Sequence, residues 1–303
     1  MSHRPLLAII NPAAGGGRCR KLAPAALADL RASGLEIHEQ ETAGPGEATE
    51  LVREAYREGV RGFIAVGGDG TGYEVVNGLL PEALGAQGQD KPLLGFLPLG
   101  TGNSFLRDFT TDGAVHAARA LREGRRRPCD VVRLVHDGGE LFFINLLGIG
   151  FLADVATTAN QRFKGLGAGG YVAGVLLRTA LLKQHPVEMH LDGGDMWKQF
   201  ALFVSFCNSR YTGGQMMMAP HAATDDGKLD VVLAGPMGRL GLLSAFPRIF
   251  SGEHIHLPAV TYCQASRIEL AFDGPLDVMV DGEVFHLRPR SLEVLAGAIE
   301  VCA

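Results

Sequence analysis

The run Gly67-Gly68-Asp69-Gly70-Thr71-Gly72-Tyr73-Glu74 decides how the first half of the chain is read. It follows directly on Phe63-Ile64-Ala65-Val66, a short apolar strand, and it opens a helical segment from Thr71 to Leu80. Buried strand, glycine loop and helix recur twice more. Leu6–Ile10 stops at Asn11-Pro12 and the glycines Gly15-Gly16-Gly17, ahead of a helix Lys21–Ala32. Leu93–Leu97 stops at Pro98-Leu99-Gly100, inside the loop Leu99–Phe105, ahead of a helix Asp112–Glu123. A strand Leu35–Gln40 and a helix Gly46–Arg57 complete the alternation. Strands that alternate with helices must be parallel and covered on both faces, which predicts a doubly wound α/β domain.

Past Arg125-Arg126-Arg127-Pro128 the pattern changes to strands: Asp130–Val135, Leu141–Leu147, Val187–Leu191, Phe200–Phe206, Leu229–Leu233, Arg267–Phe272, Val278–Val280 and Ser291–Leu295. Short turns such as Asp137-Gly138-Gly139 and Asp192-Gly193-Gly194 separate several of them. Helical segments interrupt at about Gly169–Lys183 and Gly238–Gly252. The expectation is α/β plus β: a nucleotide-binding domain over residues 1–125, then an antiparallel, β-sandwich-like domain with inserted helices over 126–303. The last few residues are free to return to the first domain.

Composition narrows the function. The chain has 303 residues, enough for one large domain or two ordinary ones. It carries 41 glycines without a Gly-X-Y period, so they serve turns and loops where backbone must approach something closely. Net charge is -5, which argues against a nucleic-acid partner. The 5 cysteines have no CxxC spacing, against a disulfide framework or a zinc site and in keeping with a reducing cytosol. No signal peptide and no apolar run of about 18 residues is seen. The expectation is a cytoplasmic protein, at most peripheral to the inner face of a membrane.

Three glycine loops at one sheet edge suit a polyphosphate, because glycine lets amides approach phosphate oxygens and a following helix adds positive potential. Neither GxxxxGK[ST] nor a well-placed GxGxxG occurs, so the P-loop and the usual dinucleotide fold are disfavoured. Asp69 is repulsive beside phosphates unless a cation intervenes, which points to Mg²⁺ between Asp69 and a nucleotide. Its plainer role is a helix N-cap serving Thr71 to Glu74.

Gly67–Thr71 with Glu74-Val75-Val76-Asn77-Gly78-Leu79 closely resembles the signature of the diacylglycerol kinase catalytic domain, whose family includes bacterial lipid kinases and sphingosine kinases. Leu97–Asn103 resembles its second glycine motif, and Asn11-Pro12 its opening one. GGDGT alone is shared with NAD kinases; the three together are far more specific. The resemblance implies ATP as phosphate donor, with contacts at Asn11, Thr42, Gly67, Gly68, Asp69, Gly70, Thr71, Gly72, Tyr73, Gly100, Thr101, Gly102 and Asn103.

It extends into the second half. Ala219–Asp230 resembles a family stretch that carries a structural Mg²⁺, which implies ligation by Asp226 and by the carbonyls of Ala223 and Lys228. Without the resemblance, Asp225-Asp226-Gly227 is a type I turn. Asp281-Gly282-Glu283 resembles the turn holding the family's general base, which implies Glu283 in that role, with Asp69 as its catalytic partner; without the resemblance it is a hairpin turn with a solvent-facing Glu. Gly72-Tyr73 and Ser104 depart from the family pattern, which commonly has an aliphatic residue followed by Asn or His, and an Asp, at these places.

The segments Gly169–Lys183 and Gly238–Phe250 are apolar on more than one side and carry Arg178, Lys183, Arg239 and Arg248. Core packing is the ordinary role of such segments; contact with an anionic lipid surface is the alternative. Met216-Met217-Met218 suits a flexible acyl pocket or plain core filling. Arg125–Arg127 reads as a solvated boundary turn, or as a face toward membrane or phosphate. Together these readings predict an ATP- and Mg²⁺-dependent lipid kinase acting on a lipid alcohol such as diacylglycerol, phosphatidylglycerol or a sphingoid base at a membrane surface. A NAD kinase-like enzyme, a kinase for a soluble polyol and a non-catalytic nucleotide- or lipid-sensing module are the alternatives.

Overall fold

The structure is a computed structural model that describes residues 4–162, 174–175 and 177–303. The chain divides into two compact units, Met1–Asp130 with Ala296–Ala303, and Val131–Leu295.

The first unit alternates β1 (Leu6–Ile10), α1 (Arg18–Ala32), β2 (Ile37–Glu41), α2 (Glu47–Arg57), β3 (Gly62–Gly67), α3 (Asp69–Leu79), β4 (Leu93–Pro98) and α4 (Gly113–Glu123). The strands are parallel in the order β2-β1-β3-β4. Beyond β4, the end of the last strand adds in parallel, Glu300 opposite Leu93. From β1 the chain first winds to one side, to β2, and then to the other, to β3 and β4. That reversal makes a switch point between the carboxyl ends of β1 and β3.

Burial follows the periodicities. β3 is buried at every position, as a central parallel strand must be. In α1, Cys19, Ala23, Leu27 and Leu30 form one buried stripe at intervals of three and four. Leu27 and Leu30 are fully buried against Ile64 and Val66, each burial contributing about 1.5–3 kcal/mol before entropy is counted.

The second unit comprises β5 (Arg127–His136, which begins in the first unit), β6 (Gly139–Phe143), β7 (Leu146–Gly150), α5 (Phe151–Arg162), β8 (His185–Leu191), β9 (Met196–Ala201), β10 (Phe203–Cys207), β11 (Tyr211–Thr212), β12 (Met216–Met217), β13 (Leu229–Ala234), α6 (Arg239–Ala245), β14 (Val260–Ala265), β15 (Arg267–Leu270), β16 (Leu276–Val280), β17 (Glu283–Leu287) and β18 (Pro289–Val301). One antiparallel sheet has the order β14-β13-β10-β7-β16-β17. A second set of antiparallel pairs joins β5 to β6, β15 to β18 and β8, and β8 to β9.

Two expected strands are each divided. Leu141–Leu147 breaks between β6 and β7, because the amides of Ile144, Asn145 and Leu146 turn to the Asp281 carboxylate. Phe200–Phe206 breaks at Leu202, where β9 pairs with β8 and β10 with β7 and β13. After β7 the chain turns straight into α5 at Gly150, whose φ is +80°. A side chain there would meet the Leu202 carbonyl at 2.6 Å, so only glycine fits.

Of the expected helix Gly169–Lys183, residues 169–173 and 176 lie outside the described residues; 177–180 are helical. The expected helix Gly238–Gly252 is α6 followed by a 3₁₀ turn, Phe246–Phe250. Among the described residues no helix is long and apolar enough to cross a membrane. The arginine run is held within the first unit: Arg125 pairs with Glu123, Arg126 with Glu300, and Arg127 lies over the Phe109 ring.

Candidate active site

The carboxyl ends of β1, β2, β3 and β4 carry predicted contact residues. Asn11 follows β1, Thr42 follows β2, Gly67 and Gly68 close β3, and Leu99–Asn103 follow β4. Backbone bonds draw these ends together. The Thr42 amide donates to the Ile10 carbonyl at 2.9 Å, the Asn11 amide to Val66 at 3.0 Å, and the Gly100 amide to Gly67 at 2.7 Å. Arg18, at the start of α1, adds a tie that the sequence did not reveal: its guanidinium donates to the Gly100 carbonyl at 2.8 Å. Asn103 holds the last bend at φ +50° and donates its side-chain amide to the Gly100 carbonyl. Asn11 Oδ1 accepts from the Ala13 amide, which shapes the first loop.

The loops after β3 and β4 touch through their backbones. A Cβ on Gly100 would lie 2.4 Å from Gly68 Cα, and one on Gly102 would lie 2.7 Å from Asp69 Oδ2. No side chain caps α3, which starts at this edge. Gly70 lies in its first turn, and Thr101 stands exposed on the opposite loop. Thr71 Oγ1 is buried without a hydrogen-bond partner. An uncapped helix start beside an orphan hydroxyl suits phosphate oxygens.

Asp69 is the first residue of α3 and makes no capping bond. Its carboxylate reaches the opposite loop instead. The Ser104 amide donates to both of its oxygens, at 2.8 and 2.9 Å, and the Phe105 amide lies at 3.5 Å from Oδ1. Burial pushes the carboxyl above the usual carboxylate range, against the pull of these bonds. An ionised pair of oxygens keeps lone pairs beyond those bonds, and a cation would offset the burial cost; the donor chemistry therefore fits Mg²⁺.

The departures from the family pattern acquire reasons. Ser104 binds Asp69 through its main-chain amide, which any residue but proline supplies, and through its hydroxyl as well. Gly72 lies against Phe96, 3.2 Å from where a Cβ would stand, and Tyr73 is buried. Glu74 was not singled out from the sequence. Its carboxylate accepts from the amides of Gly46 and Ala48, which satisfies the start of α2.

In the second unit, Asp281 and Gly282 form a two-residue hairpin turn, with φ of +48° and +94° and Val280 opposite Glu283. Asp281 is buried, and its carboxylate accepts from the amides of Ile144, Asn145 and Leu146 at 3.0–3.1 Å. Asn145 continues the network: its side-chain oxygen accepts from Ser209, and Asn208 donates to the Ile144 carbonyl. Glu283 itself is exposed, at a point fixed by its buried neighbour.

The loop before β13 holds Ala223, Asp226 and Lys228. Asp226 Oδ1 accepts from the Lys228 amide at 3.0 Å, which makes this bend an Asx turn. Among the described residues no three His, Cys, Asp or Glu side chains gather as metal ligands. Asp226 has a second oxygen to offer, which fits a cation completed by main-chain carbonyls. Two residues on, Asp230 is buried in β13 and accepts from the Tyr262 hydroxyl and from Gln264. Burial raises both the Asp230 carboxyl and the Tyr262 hydroxyl above their usual ranges.

The profile of the diacylglycerol kinase catalytic domain matches residues 5–134, and that of the YegS C-terminal NAD kinase beta sandwich-like domain matches residues 145–303. The chain belongs to the diacylglycerol kinase family. It is therefore a phosphotransferase. A diacylglycerol kinase of Mycobacterium tuberculosis (strain CDC 1551 / Oshkosh) is 30% identical over 97% of this chain and 93% of its own. A protein of Serratia proteamaculans (strain 568), named probable lipid kinase YegS-like, is 33% identical over 98% and 93%. The crystal structure of a diacylglycerol kinase from Bacillus anthracis str. Sterne matches with a TM-score of 0.74 at 25% identity, covering 100% of this chain and 97% of that one. The diacylglycerol kinase signature thus coincides with the switch-point loops in sequence and in space.

Proposed function

We propose that this diacylglycerol kinase family member transfers the γ-phosphate of ATP to the hydroxyl of a lipid alcohol presented at the inner face of a membrane. The observation that carries this reading is the meeting of Asn11, Thr42, the Gly67–Tyr73 loop and the Gly100–Asn103 loop at one carboxyl edge, the side of an open α/β sheet where ligands bind. The glycine amides and Thr71 hold the phosphates. Asp69, kept in place by Ser104, would hold Mg²⁺, which neutralises charge developing on the phosphoryl oxygens. Glu283 takes the proton of the lipid hydroxyl as the hydroxyl oxygen attacks the γ-phosphorus and the bond to the leaving ADP breaks. Asp281 holds the turn that carries Glu283. Asp226, with the carbonyls of Ala223 and Lys228, would hold a second, structural Mg²⁺.

An apolar cavity in the second unit supports a lipid acceptor over a soluble one. It is walled by Phe151, Val175, Met216, Met237, Phe246 and Ile249, among others. Its volume is about 40 Å³, room for a few water molecules at most. An acyl chain enters when Met216 and Met237, unbranched and flexible, swing aside. Transfer of labelled γ-phosphate to a panel of lipid alcohols in mixed micelles, with NAD and glycerol as soluble acceptors, tests the proposal. Label on a lipid supports it. Label on NAD or glycerol alone refutes the acceptor class.

A further inference from the structure

Two segments that wall the apolar cavity also show apolar side chains to solvent. α6 and the 3₁₀ turn after it bury Leu242, Ala245 and Ile249, yet leave Leu240 84%, Leu243 39% and Phe250 43% exposed. The chain around residue 175 does the same: Val175 lines the cavity, while Leu177 and Leu181 are 39% and 60% exposed. Single exposed apolar side chains are ordinary; five on two segments that wall one cavity mark an interaction surface.

Charge identifies the partner. The chain as a whole is acidic, at -5. Yet residues 238–252 contain Arg239 and Arg248 and no Asp or Glu. Residues 155–187 contain Arg162, Lys164, Arg178 and Lys183, again with no acid. Arg239 and Arg248 are exposed and have no carboxylate partner among the described residues. Protruding leucines flanked by unpaired arginines, on a segment whose other face walls an apolar cavity, match an anionic bilayer: hydrocarbon for the leucines, headgroup charge for the arginines. A second copy of this acidic chain offers less, because its own α6 face would bring like charges together across a symmetric contact.

We infer that α6 and the turn Phe246–Phe250, through Leu240, Leu243, Phe250, Arg239 and Arg248, dock the protein on an anionic lipid surface, beside the cavity that receives the acyl chain. The inference rests on the lipid-kinase reading for its purpose, but its test does not need turnover. The purified full chain is sedimented, without nucleotide, with vesicles of equal parts phosphatidylcholine and phosphatidylglycerol, and with phosphatidylcholine alone.

The wild type is expected on the mixed vesicles and largely absent from the neutral ones. Leu240→Ser with Leu243→Ser, and separately Arg239→Glu with Arg248→Glu, should each weaken binding by about ten-fold or more, with unfolding curves unchanged. Both variants should still phosphorylate lipid dispersed in detergent micelles. Wild-type affinity in both variants overturns the docking face, as does a wild type that ignores mixed vesicles. A dimer that the leucine variant splits, with vesicle binding intact, assigns the face to self-association and overturns it too. Failure to phosphorylate any micellar lipid, with docking as described, would sink the kinase reading alone.

Discussion

Asp69 and Ser104 stand 35 residues apart, and the Ser104 amide donates to both oxygens of the Asp69 carboxylate. The two glycine loops are therefore one device. The helix that follows β3 supplies the acid, and the β4 loop supplies the donor that orients it. Asp69→Asn replaces one acceptor oxygen with a donor that faces the Ser104 amide. The expected cost is about 1–3 kcal/mol of stability, read by urea unfolding. Mg²⁺-dependent turnover should also fall, and Ser104→Ala, which keeps the two amide bonds and loses only the hydroxyl's, should be milder on both measures.

The contact of the loops depends on missing side chains. Gly100→Ala would press a Cβ against the Gly68 backbone, which cannot swing aside. The substitution should destabilise by about 1–3 kcal/mol and weaken ATP binding, seen by calorimetry. Gly44→Ala is the control: open space surrounds that position and its φ is not positive. It should leave both measurements unchanged.

Asp281 and Glu283 share a turn but not a role. Glu283 is exposed, so Glu283→Gln should leave the unfolding midpoint nearly unchanged while kcat falls by about 10²–10⁴-fold. Asp281→Ala strands three buried amides and should cost about 1–3 kcal/mol, with a lower kcat and an unchanged KM for ATP. An Asp281→Ala protein of full stability would contradict the network.

His254 gives the pH dependence a direction. It is buried in the wall of the apolar cavity, its Nε2 lies 3.0 Å from the Met218 carbonyl, and burial lowers its pKa below 6.5. The unfolded chain then binds a proton that the folded chain refuses. Stability is complete above pH 6.5 and falls as pH drops from there through the depressed folded value. Unfolding midpoints recorded across this range should decline toward acid, and His254→Gln should flatten the decline.

The first unit was legible in the sequence because its decisive signals are local. The central strand runs straight into its glycines, so the expected Phe63–Val66 strand lies within β3, one residue shorter at each end. The strand–loop–helix alternation placed the glycine loops at one edge, and the family resemblance added Asn11 and Thr42 to it. The second unit was less legible because distant residues govern it. The break in Leu141–Leu147 is imposed by Asp281, 135–137 residues away. β14, Val-Thr-Tyr-Cys-Gln-Ala, is polar enough to read as a loop, yet it pairs with β13 along its full length. Arg18 donates to a main-chain carbonyl and Ser104 donates from its main-chain amide, and no residue pattern announces such bonds.

In the proposed reaction Glu283 is the base for phosphate transfer to a lipid hydroxyl. The most direct measurement is a single-turnover assay with γ-labelled ATP and a lipid alcohol in mixed micelles, comparing wild type with Glu283→Gln at saturating nucleotide. Transfer with Glu283 as base gives labelled lipid from the wild type, and from the variant a chemical step slower by about 10²–10⁴-fold with ATP affinity unchanged. Equal rates from the two proteins, or a wild type that labels NAD and no lipid, would contradict it.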